Sequence, residues 1–231
     1  VEVWRGPTGL LQGTGDPGGT INFVRKRAQD SYGLNARALV GSERHAYGEI
    51  DVTGPLDEDG RLRGRLVASY LDRHYFTDHA TKQLPMLYGT LEYDLAPATT
   101  LSIGTTWQRD DSRPFFGLAA YDNGTYPKVP RSTYLGAAWN RDIQQAQRSF
   151  IELERRFDDG GTAKLSAIGV RRRNQGEFAW GNSFADRQTG DVAMIPYFSR
   201  DRTNEAIVDA RLTRPWQWLG QRQEISVGAS H

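Results

Sequence analysis

The stretch GTGDPGG, residues 13–19, has the spacing G-x-G-x-x-G that lets a phosphate-bearing cofactor approach the backbone. That function needs a strand before the glycines and a helix after them, because the pyrophosphate rests on the helix N-terminus. Here the glycines are followed by TINFV, residues 20–24, whose β-branched and aromatic side chains predict a strand. The stretch also lacks the Lys and Ser/Thr of a P-loop. The glycines therefore predict tight turns rather than a nucleotide site.

Other residue types that carry chemistry form no catalytic or metal-binding pattern. His74 and His79 lie five apart among acidic residues, a spacing that fits a solvated loop better than a metal site. Glu152 and Glu154 share one face of a predicted strand, as an acid–base pair would, but Lys and Arg on neighbouring strands favour ion pairing. The sequence contains no Cys, so it has neither thiolate ligands nor disulfides. We therefore expect no enzyme, no metal site and no resident cofactor.

The composition limits the possible partners, and the two ends of the sequence indicate whether it is a fragment. Charged residues make up 25% of the 231 residues but nearly balance, with a formal net charge of +1. That balance argues against a nucleic-acid-binding protein. Val1 and His231 both fall within strand-like stretches, so we expect the sequence to be a fragment of a longer protein.

Alternation of apolar and polar residues recurs along the chain and predicts β-strands. In LNARALV, Leu34 and Ala36 alternate with Asn35 and Arg37. The same period of two occurs in RLRGRLVASYLD, MLYGTLEYDL, TLSIGTTWQ, SFIELERRF and AIVDARL. A soluble sandwich could show such alternation too, but in several of these segments the polar face is charged at consecutive inward positions.

The connections between the predicted strands fall into two groups. DEDG, LAPAT, FDDGGT and WLGQRQ predict tight turns, whereas the segments near 110–145 and 174–203 predict long loops at the opposite end. Tight turns on one side and longer loops on the other are typical of outer-membrane β-barrels. The alternative is a soluble β-sandwich binding module, which would require the apolar faces to pack against a second sheet.

Aromatic residues end the apolar face at both ends of the strands. Tyr93, Phe157 and Trp216 lie on the turn side, and Tyr70 and Trp107 lie on the loop side. Two such bands are what the two interfaces of a bilayer select. The sequence therefore predicts an all-β fold in which an antiparallel meander of about nine strands forms part of a transmembrane barrel.

The segment VEVWRGPTGLLQGTGDPGGTINFVRKR closely resembles the end of the plug domain in TonB-dependent outer-membrane siderophore receptors. The family pattern is approximately V-E-V-L-R-G-P, then L-L-x-G, then P-G-G-x-I-N-x-V-x-K-R-P. The sequence departs from it at Trp4, where Leu is usual, and at Ala28, where Pro usually follows. LRGRLVASYLDRHYF, LYGTLEYDLAPATTLSIG and VPRSTYLGAAWNR resemble the first barrel strands of the same family, most closely in receptors for hydroxamate or pyoverdine-type siderophores.

The resemblance implies an architecture and a function. Residues 1–28 would end a plug domain, and residues 29–231 would supply the N-terminal strands of a barrel of about 22 strands. The protein would take up a ferric siderophore across the outer membrane of a Gram-negative bacterium, with iron carried by the siderophore. Its partners would be TonB, through a box upstream of this sequence, and outer-membrane lipid and lipopolysaccharide. Haem, cobalamin or a glycan are alternative cargoes, and a passive porin is disfavoured because it has no plug.

Aromatic residues in the long segment 110–145 are the candidate siderophore contacts, because aromatic rings beside Arg suit an anionic or aromatic chelate. They are Phe115, Phe116, Tyr121, Tyr126, Tyr134 and Trp139. A weaker set in the second long segment comprises Trp180, Phe184, Tyr197 and Phe198.

Charged residues form two further predicted sites. In the resembling receptors the Arg of the R-G-P motif pairs with acidic residues on the inner barrel wall, which implies a latch between plug and barrel formed by Arg5, Glu2, Glu152 and Glu154. A basic rim is predicted where one strand ends on the loop side, either to hold lipopolysaccharide phosphates or to steer an anionic chelate. It comprises Arg171, Arg172 and Arg173, with Arg109 and Arg113 near the same level.

Overall fold

The computed structural model describes residues 2–6 and 18–231, without the side chains of Glu2 and Arg222. The tight turns predicted at Gly13 and Gly15 lie outside these residues. The described part is built of β-strands joined by turns and loops. No helix long and apolar enough to cross a membrane occurs in it.

Two short strands form a separate antiparallel ribbon. Strand β1 spans Glu2–Arg5 and β2 spans Gly19–Asn22, with Trp4 opposite Thr20. Gly19 has a φ of 133°, and a Cβ atom there would lie 2.4 Å from the carbonyl oxygen of Trp4, so this position requires glycine. The strand predicted after the glycines is confirmed over its first residues.

Nine longer strands form a single antiparallel sheet in which each strand pairs with its neighbours in the chain. They are β3 Gly33–Gly41, β4 His45–Pro55, β5 Leu62–His74, β6 Thr81–Ala96, β7 Thr99–Arg113, β8 Arg141–Arg156, β9 Thr162–Gly181, β10 Met194–Trp218 and β11 Gln221–Ser230. The predicted meander of about nine strands is therefore confirmed.

The tight turns and the longer loops lie at opposite ends of the sheet, as predicted. The turn end has the connections 56–61, 97–98, 157–161 and 219–220, and the loop end has 42–44, 75–80, 114–140 and 182–193. Leu219 and Gly220 both have positive φ, which suits a two-residue hairpin.

The long loops are shorter than the sequence predicts. The first spans 114–140 instead of 110–145, and the second spans 182–193 instead of 174–203. Trp180, Tyr197 and Phe198 therefore lie on strands, and the prediction that placed them in a loop is wrong. The strands continue past the apolar band with polar residues on both faces, so no apolar alternation marks their true ends.

The sheet has one polar and one apolar face. We call the face covered by residues 23–31 the inner face, and the opposite one the outer face. Asp51, Glu92 and Glu152 on the inner face are buried, whereas Leu66 and Ile151 on the outer face are about half exposed. Within the described residues no second sheet covers the outer face, so the β-sandwich alternative is wrong. An apolar outer face and a polar interior are what a membrane barrel requires.

Candidate functional site

The inner face carries a segment without regular structure that links the ribbon to β3. Residues 25–29, which we call the anchor segment, run across β4, β5, β6 and β8 near their turn ends. Three consecutive basic residues of this segment each contact a different acidic group on the wall. The wall therefore binds the anchor segment mainly through charge.

Lys26 binds the most buried carboxylate of the wall. Its Nζ lies 2.7 Å from Oδ2 of Asp51, whose side chain is only 2% exposed. Arg65 on the neighbouring strand donates to both oxygens of Asp51, at 2.8 and 2.7 Å. The hydroxyl of Tyr88 donates to the carbonyl oxygen of Lys26. Asp51 is thus shared between a wall residue and the anchor segment.

Arg27 bridges two further strands. Its guanidinium donates to Glu92 at 3.3 Å and to Glu154 at 3.1 Å. The amide N–H of Ala28 also donates to Glu92, at 3.0 Å. Partial burial disfavours the charge of Arg27, but Glu92 and Glu154 outweigh this effect and raise the pKa of the guanidinium. Arg65 donates to the carbonyl oxygen of Arg27, at 2.9 Å. Side chain and backbone of Arg27 are therefore both held.

Arg25 reaches the acidic group farthest along the sheet. It donates to Oε2 of Glu152 at 2.8 Å, and its guanidinium lies 4.0 Å from the ring centroid of Phe150. Lys164 binds the same oxygen of Glu152, at 2.9 Å. A Cβ atom at Gly104 would lie 2.6 Å from the Phe150 ring, so the glycine makes room for this ring. The ion pair and the cation–π contact together orient Arg25.

The structure places two of the four predicted latch residues in this network. Glu152 and Glu154 bind Arg25 and Arg27, so their predicted ion pairing is present. Arg5 is exposed on β1 and forms no ion pair with the residues that the structure describes. The side chain of Glu2 lies outside the described part. The pairing of Arg5 with the wall stays a prediction.

Sequence reasoning missed the main cations of this network and one of its carboxylates. The missed cations are Arg25, Lys26 and Arg27, and the missed carboxylate is Asp51. The signal was present in VRKR, three adjacent cations before an alternating strand, and in inward acids on successive predicted strands. Only the structure shows that the segment crosses the sheet at the level of those acids.

The long loop 114–140 has a hydrogen-bonded base. Asn140, 1% exposed, pairs with both backbone groups of Ala179 on β9 and donates to the hydroxyl of Tyr134 at 3.0 Å. That hydroxyl donates to the carbonyl oxygen of Pro114 at 2.8 Å. Burial raises the pKa of Tyr134, which keeps the phenol protonated as a donor. Both ends of the loop are thereby joined to the sheet.

Neighbouring loops pack against this loop. Arg187 in loop 182–193 pairs with Asp122, and the N–H of Ala185 donates to the carbonyl oxygen of Ala120 at 2.9 Å. In loop 75–80, the N–H of Asp78 donates to the carbonyl oxygen of Ser132 at 2.7 Å. Three loops thus form one cap at this end. No group of metal-ligating side chains occurs among the residues described.

Aromatic rings gather where this cap meets the inner face. Phe116 contacts Phe178 and Trp180, with ring centroids 5.0 and 5.9 Å apart. Tyr197 stacks on Phe178 at 5.0 Å and lies directly opposite it in the β9–β10 pairing. Phe116 and Tyr197 are about half exposed. We call these four residues the aromatic cluster, and its exposed rings offer an apolar surface to a ligand.

The six predicted siderophore contacts do not converge on one surface. Phe116 belongs to the aromatic cluster, whereas Phe115 and Tyr134 pack against each other inside the loop. Trp139 stacks on Phe198, which lies on the outer face. Tyr121 closes a turn with Thr125 and Gly124, and Tyr126 is exposed near it. Ligand contact for these residues stays a prediction.

The arginines of the predicted rim are placed differently from the prediction. Arg171, Arg172 and Arg173 lie in the middle of β9 and do not end it. They alternate in direction, since Arg172 pairs with Glu205 on the inner face while its two neighbours point outward. Arg109 and Arg113 also lie on the outer face, on β7. Three adjacent residues of a strand cannot all face one way. The prediction that these arginines end a strand is wrong, whereas their contact with lipopolysaccharide or with an anionic chelate stays a prediction.

Comparison with known proteins gives matches over the whole chain. The chain is 32% identical over 237 residues to the ferric-pyoverdine M114 receptor of Pseudomonas sp. (strain M114) and 34% identical over 239 residues to the ferripyoverdine receptor of Pseudomonas aeruginosa. Both alignments include 100% of this chain. The chain spans 28% and 29% of the length of these curated relatives. No family model matches the chain.

A solved structure gives the same match in three dimensions. The crystal structure of the outer-membrane ferripyoverdine receptor of Pseudomonas aeruginosa, bound to ferripyoverdine, superposes with a TM-score of 0.91 at 32% identity. The match covers 99% of this chain and 31% of the receptor chain. The relatives are receptors by their names.

Proposed function

This chain matches TonB-dependent ferric-siderophore receptors over its full length, and on that basis we propose that the whole protein imports a ferric siderophore of the pyoverdine type across the outer membrane. In this proposal residues 1–28 end the plug domain, and residues 29–231 form the first strands of the barrel wall. The transported chelate carries the iron, so the receptor needs no resident metal or cofactor and catalyses no covalent reaction.

The observation that carries the proposal is the charge-based attachment of the anchor segment to the inner face. A passive porin leaves its lumen open, whereas here the chain before the barrel strands is bound to the wall through Asp51, Glu92 and Glu152. Ion pairs near the turn end hold the segment at rest and still permit movement elsewhere in the plug. This arrangement supports a gated receptor that is driven by TonB acting on a segment upstream of this sequence.

The cargo assignment draws on the relatives and on the aromatic cluster. Both relatives named above are receptors for iron-loaded pyoverdine by their names. Phe116, Phe178, Trp180 and Tyr197 lie at the loop end, where a chelate arriving from outside the cell would meet the protein. Exposed rings at that place suit a chelate with an aromatic part. Haem, cobalamin or a glycan remain the alternative cargoes.

Iron uptake by the full-length protein tests this function. The receptor would be expressed in a Gram-negative host that lacks its own ferripyoverdine receptor, and uptake of ⁵⁵Fe–pyoverdine would be measured with and without TonB. We expect uptake only with both receptor and TonB present. Uptake of haemin or cobalamin in place of the ferric chelate would show that the cargo is one of these molecules. Uptake without TonB would refute an energy-coupled receptor.

A further inference from the structure

The inner face of β7 to β10 carries uncharged polar side chains between the aromatic cluster and the anchor segment. They occupy three successive rows of paired residues, and neighbouring rows are about 7 Å apart because every second residue of a strand faces the same side. The row nearest the aromatic cluster supplies two serines, and the next two rows supply three amides and a threonine. We call these six residues the polar ladder: Ser112, Ser199, Gln144, Asn174, Gln108 and Thr203.

The polar ladder begins directly below the aromatic cluster. Phe178 and Tyr197 of the cluster lie two residues along their strands from Gly176 and Ser199, which are paired with each other. A Cβ atom at Gly176 would lie 2.9 Å from the ring of Phe178 and 3.1 Å from the hydroxyl oxygen of Ser199, so the glycine lets the ring and the serine lie side by side. A ligand that leaves these rings toward the anchor segment therefore meets the polar ladder next.

The polar ladder ends above the anchor segment at an apolar row. The paired residues of this row are Gly104, Phe150, Ile168 and Ile207. Arg25 of the anchor segment holds the ring of Phe150, since its guanidinium lies 4.0 Å from the ring centroid. The step from Phe178 to Ile168 along β9 is about 33 Å. The polar ladder thus spans the distance between the aromatic cluster and the segment that precedes the barrel strands.

The polar ladder is restricted to one side of the wall. On β5 and β6, at the level of its lower two rows, the inner face carries Leu71, Leu84 and Met86 instead. The amides and the threonine of the polar ladder, by contrast, are exposed toward the lumen. Apolar side chains offer no hydrogen bonds to a polar ligand. A polar ligand that moves along the wall is therefore bound better on β7 to β10.

The charged side chains beside the polar ladder leave little net charge on this surface. Lys82 binds Asp110, and Arg172 binds Glu205 at 2.7 Å. Cations and acids nearly balance in the three rows and the row below them, where the charged residues are Lys82, Arg148, Arg172, Asp110, Asp142, Asp201 and Glu205. The uncharged polar groups are therefore the main contacts that the surface offers.

We propose that the polar ladder is the transfer path along which the ferric chelate moves from the aromatic cluster toward the anchor segment during uptake. The inference rests on the proposed function, because it takes the chelate as the cargo. Amide side chains both donate and accept hydrogen bonds, so they bind the amide or hydroxamate groups of a chelate in more than one orientation. Transport requires several weak sites, so that the ligand enters each one and leaves it again. Neutral hydrogen bonds repeated about every 7 Å meet that requirement.

A permanent attachment to the rest of the plug fits this surface less well. Where the wall holds the anchor segment, it does so with buried carboxylates such as Asp51 and Glu152, which bind cations. The amides and the threonine of the polar ladder are neutral and exposed, and water replaces such contacts readily. The different chemistry of the two regions therefore favours a mobile ligand on the polar ladder.

The test compares chelate binding with chelate uptake by the full-length receptor, in a host that lacks its own ferripyoverdine receptor. In the double variant Gln144→Leu/Asn174→Leu the side chains keep a similar size and lose their hydrogen bonds. We expect unchanged affinity for ferripyoverdine at equilibrium and an initial rate of TonB-dependent ⁵⁵Fe uptake that is about tenfold lower, because one row of the path is lost. The exchange Gln144→Asn/Asn174→Gln keeps both amides and should retain most of the rate.

The matched control is Gln145→Leu/Gln175→Leu. These two amides follow Gln144 and Asn174 directly in the sequence but face outward, because adjacent residues of a strand point to opposite sides. We expect this control to take up iron at the wild-type rate. A wild-type rate in the inner double variant, or an equal decrease in the control, overturns the proposal.

Two further measurements separate transfer from the other roles. A loss of affinity as large as the loss of uptake rate would place Gln144 and Asn174 in the binding site, and this overturns the proposal. Faster hydrogen exchange of plug amides in the inner double variant, measured without TonB, would show that the polar ladder holds the plug, and it overturns the proposal as well. Binding and uptake by the wild type report separately on the proposed function.

Discussion

Replacing Arg27 by Gln should release the anchor segment from the wall without unfolding the barrel. Arg27 donates to Glu92, Glu154 and the hydroxyl of Ser102, at 3.3, 3.1 and 3.2 Å. The carboxylates belong to two wall strands, and their side chains are only 7% and 17% exposed. The substitution leaves both of them short of a cation while it keeps an uncharged polar side chain at the position.

The magnitude follows from the burial of the partners. Removing one member of a buried ion pair costs about 3 to 5 kcal/mol, because the remaining charge is uncompensated. Water screens part of this interaction, since the Arg27 side chain is 42% exposed. Glu92 also keeps the amide of Ala28, and Glu154 keeps Arg156. The net cost is therefore about 2 kcal/mol, which corresponds to a roughly 30-fold increase in the released population.

Hydrogen–deuterium exchange measures the equilibrium between the bound and the released anchor segment directly. The amide of Ala28 donates to Glu92 and that of Gln29 donates to Thr53, so both are protected only while the segment is bound. In the full-length receptor, exchange of these amides should become roughly 30-fold faster in Arg27→Gln. Arg156→Gln is the matched control, because it removes the other cation of Glu154 from the wall side. Unchanged exchange in Arg27→Gln, or an equal acceleration in Arg156→Gln, would refute the reasoning.

Three other substitutions test the remaining parts of the molecule. Phe116→Ala should weaken ferripyoverdine binding by about tenfold in titrations, because it removes an exposed ring of the aromatic cluster. Phe198→Ala, on the outer face, should leave this binding unchanged. Equal losses of affinity in the two variants would show that the aromatic cluster is not part of the binding site. Asn140→Ala should lower the stability of the loop base by about 1 to 3 kcal/mol and speed proteolysis within 114–140, and unchanged cleavage would show that other contacts hold the loop. Arg5→Ala should leave chelate binding intact and lower the force that extracts the plug in single-molecule pulling; an unchanged force would exclude Arg5 from the latch.

The strands were predictable because a membrane barrel imposes a strict rule on each residue. Leu91 and Ile151 must face lipid and Glu92 and Glu152 must face inward, so a period of two appears in the sequence wherever the wall lies within the bilayer. Beyond the bilayer this constraint ends. Residues such as Asn174 and Arg200 extend β9 and β10 with polar side chains on both faces, and the sequence alone therefore misplaces the loop boundaries.

The ion pairs of the anchor segment were only partly predictable from the sequence, for a different reason. Glu152 and Glu154 are recognisable as inward acids that need cations, but which cation meets them depends on the path of a segment without periodicity. Residues 25–29 have no repeat that fixes their direction, and their partners lie up to 127 residues away in the chain. Such a path is set by long-range pairing and not by local propensity.

The three adjacent arginines of β9 show that neighbouring residues of the same type can face opposite sides of a sheet. Arg171, Arg172 and Arg173 look equivalent in the sequence, yet a strand alternates their directions, so only Arg172 is available to the lumen. The period of two, counted from Gly169, puts Arg171 and Arg173 on one face and Arg172 on the other. The directions of these side chains were therefore predictable from the sequence, whereas their position in the middle of a long strand was not.

Equilibrium binding of ferripyoverdine to the purified full-length receptor tests the central claim most directly, with haemin and cobalamin as competitors. The proposed function predicts saturable binding of the ferric chelate that neither competitor displaces. Binding of haemin or cobalamin together with no binding of ferripyoverdine would contradict it.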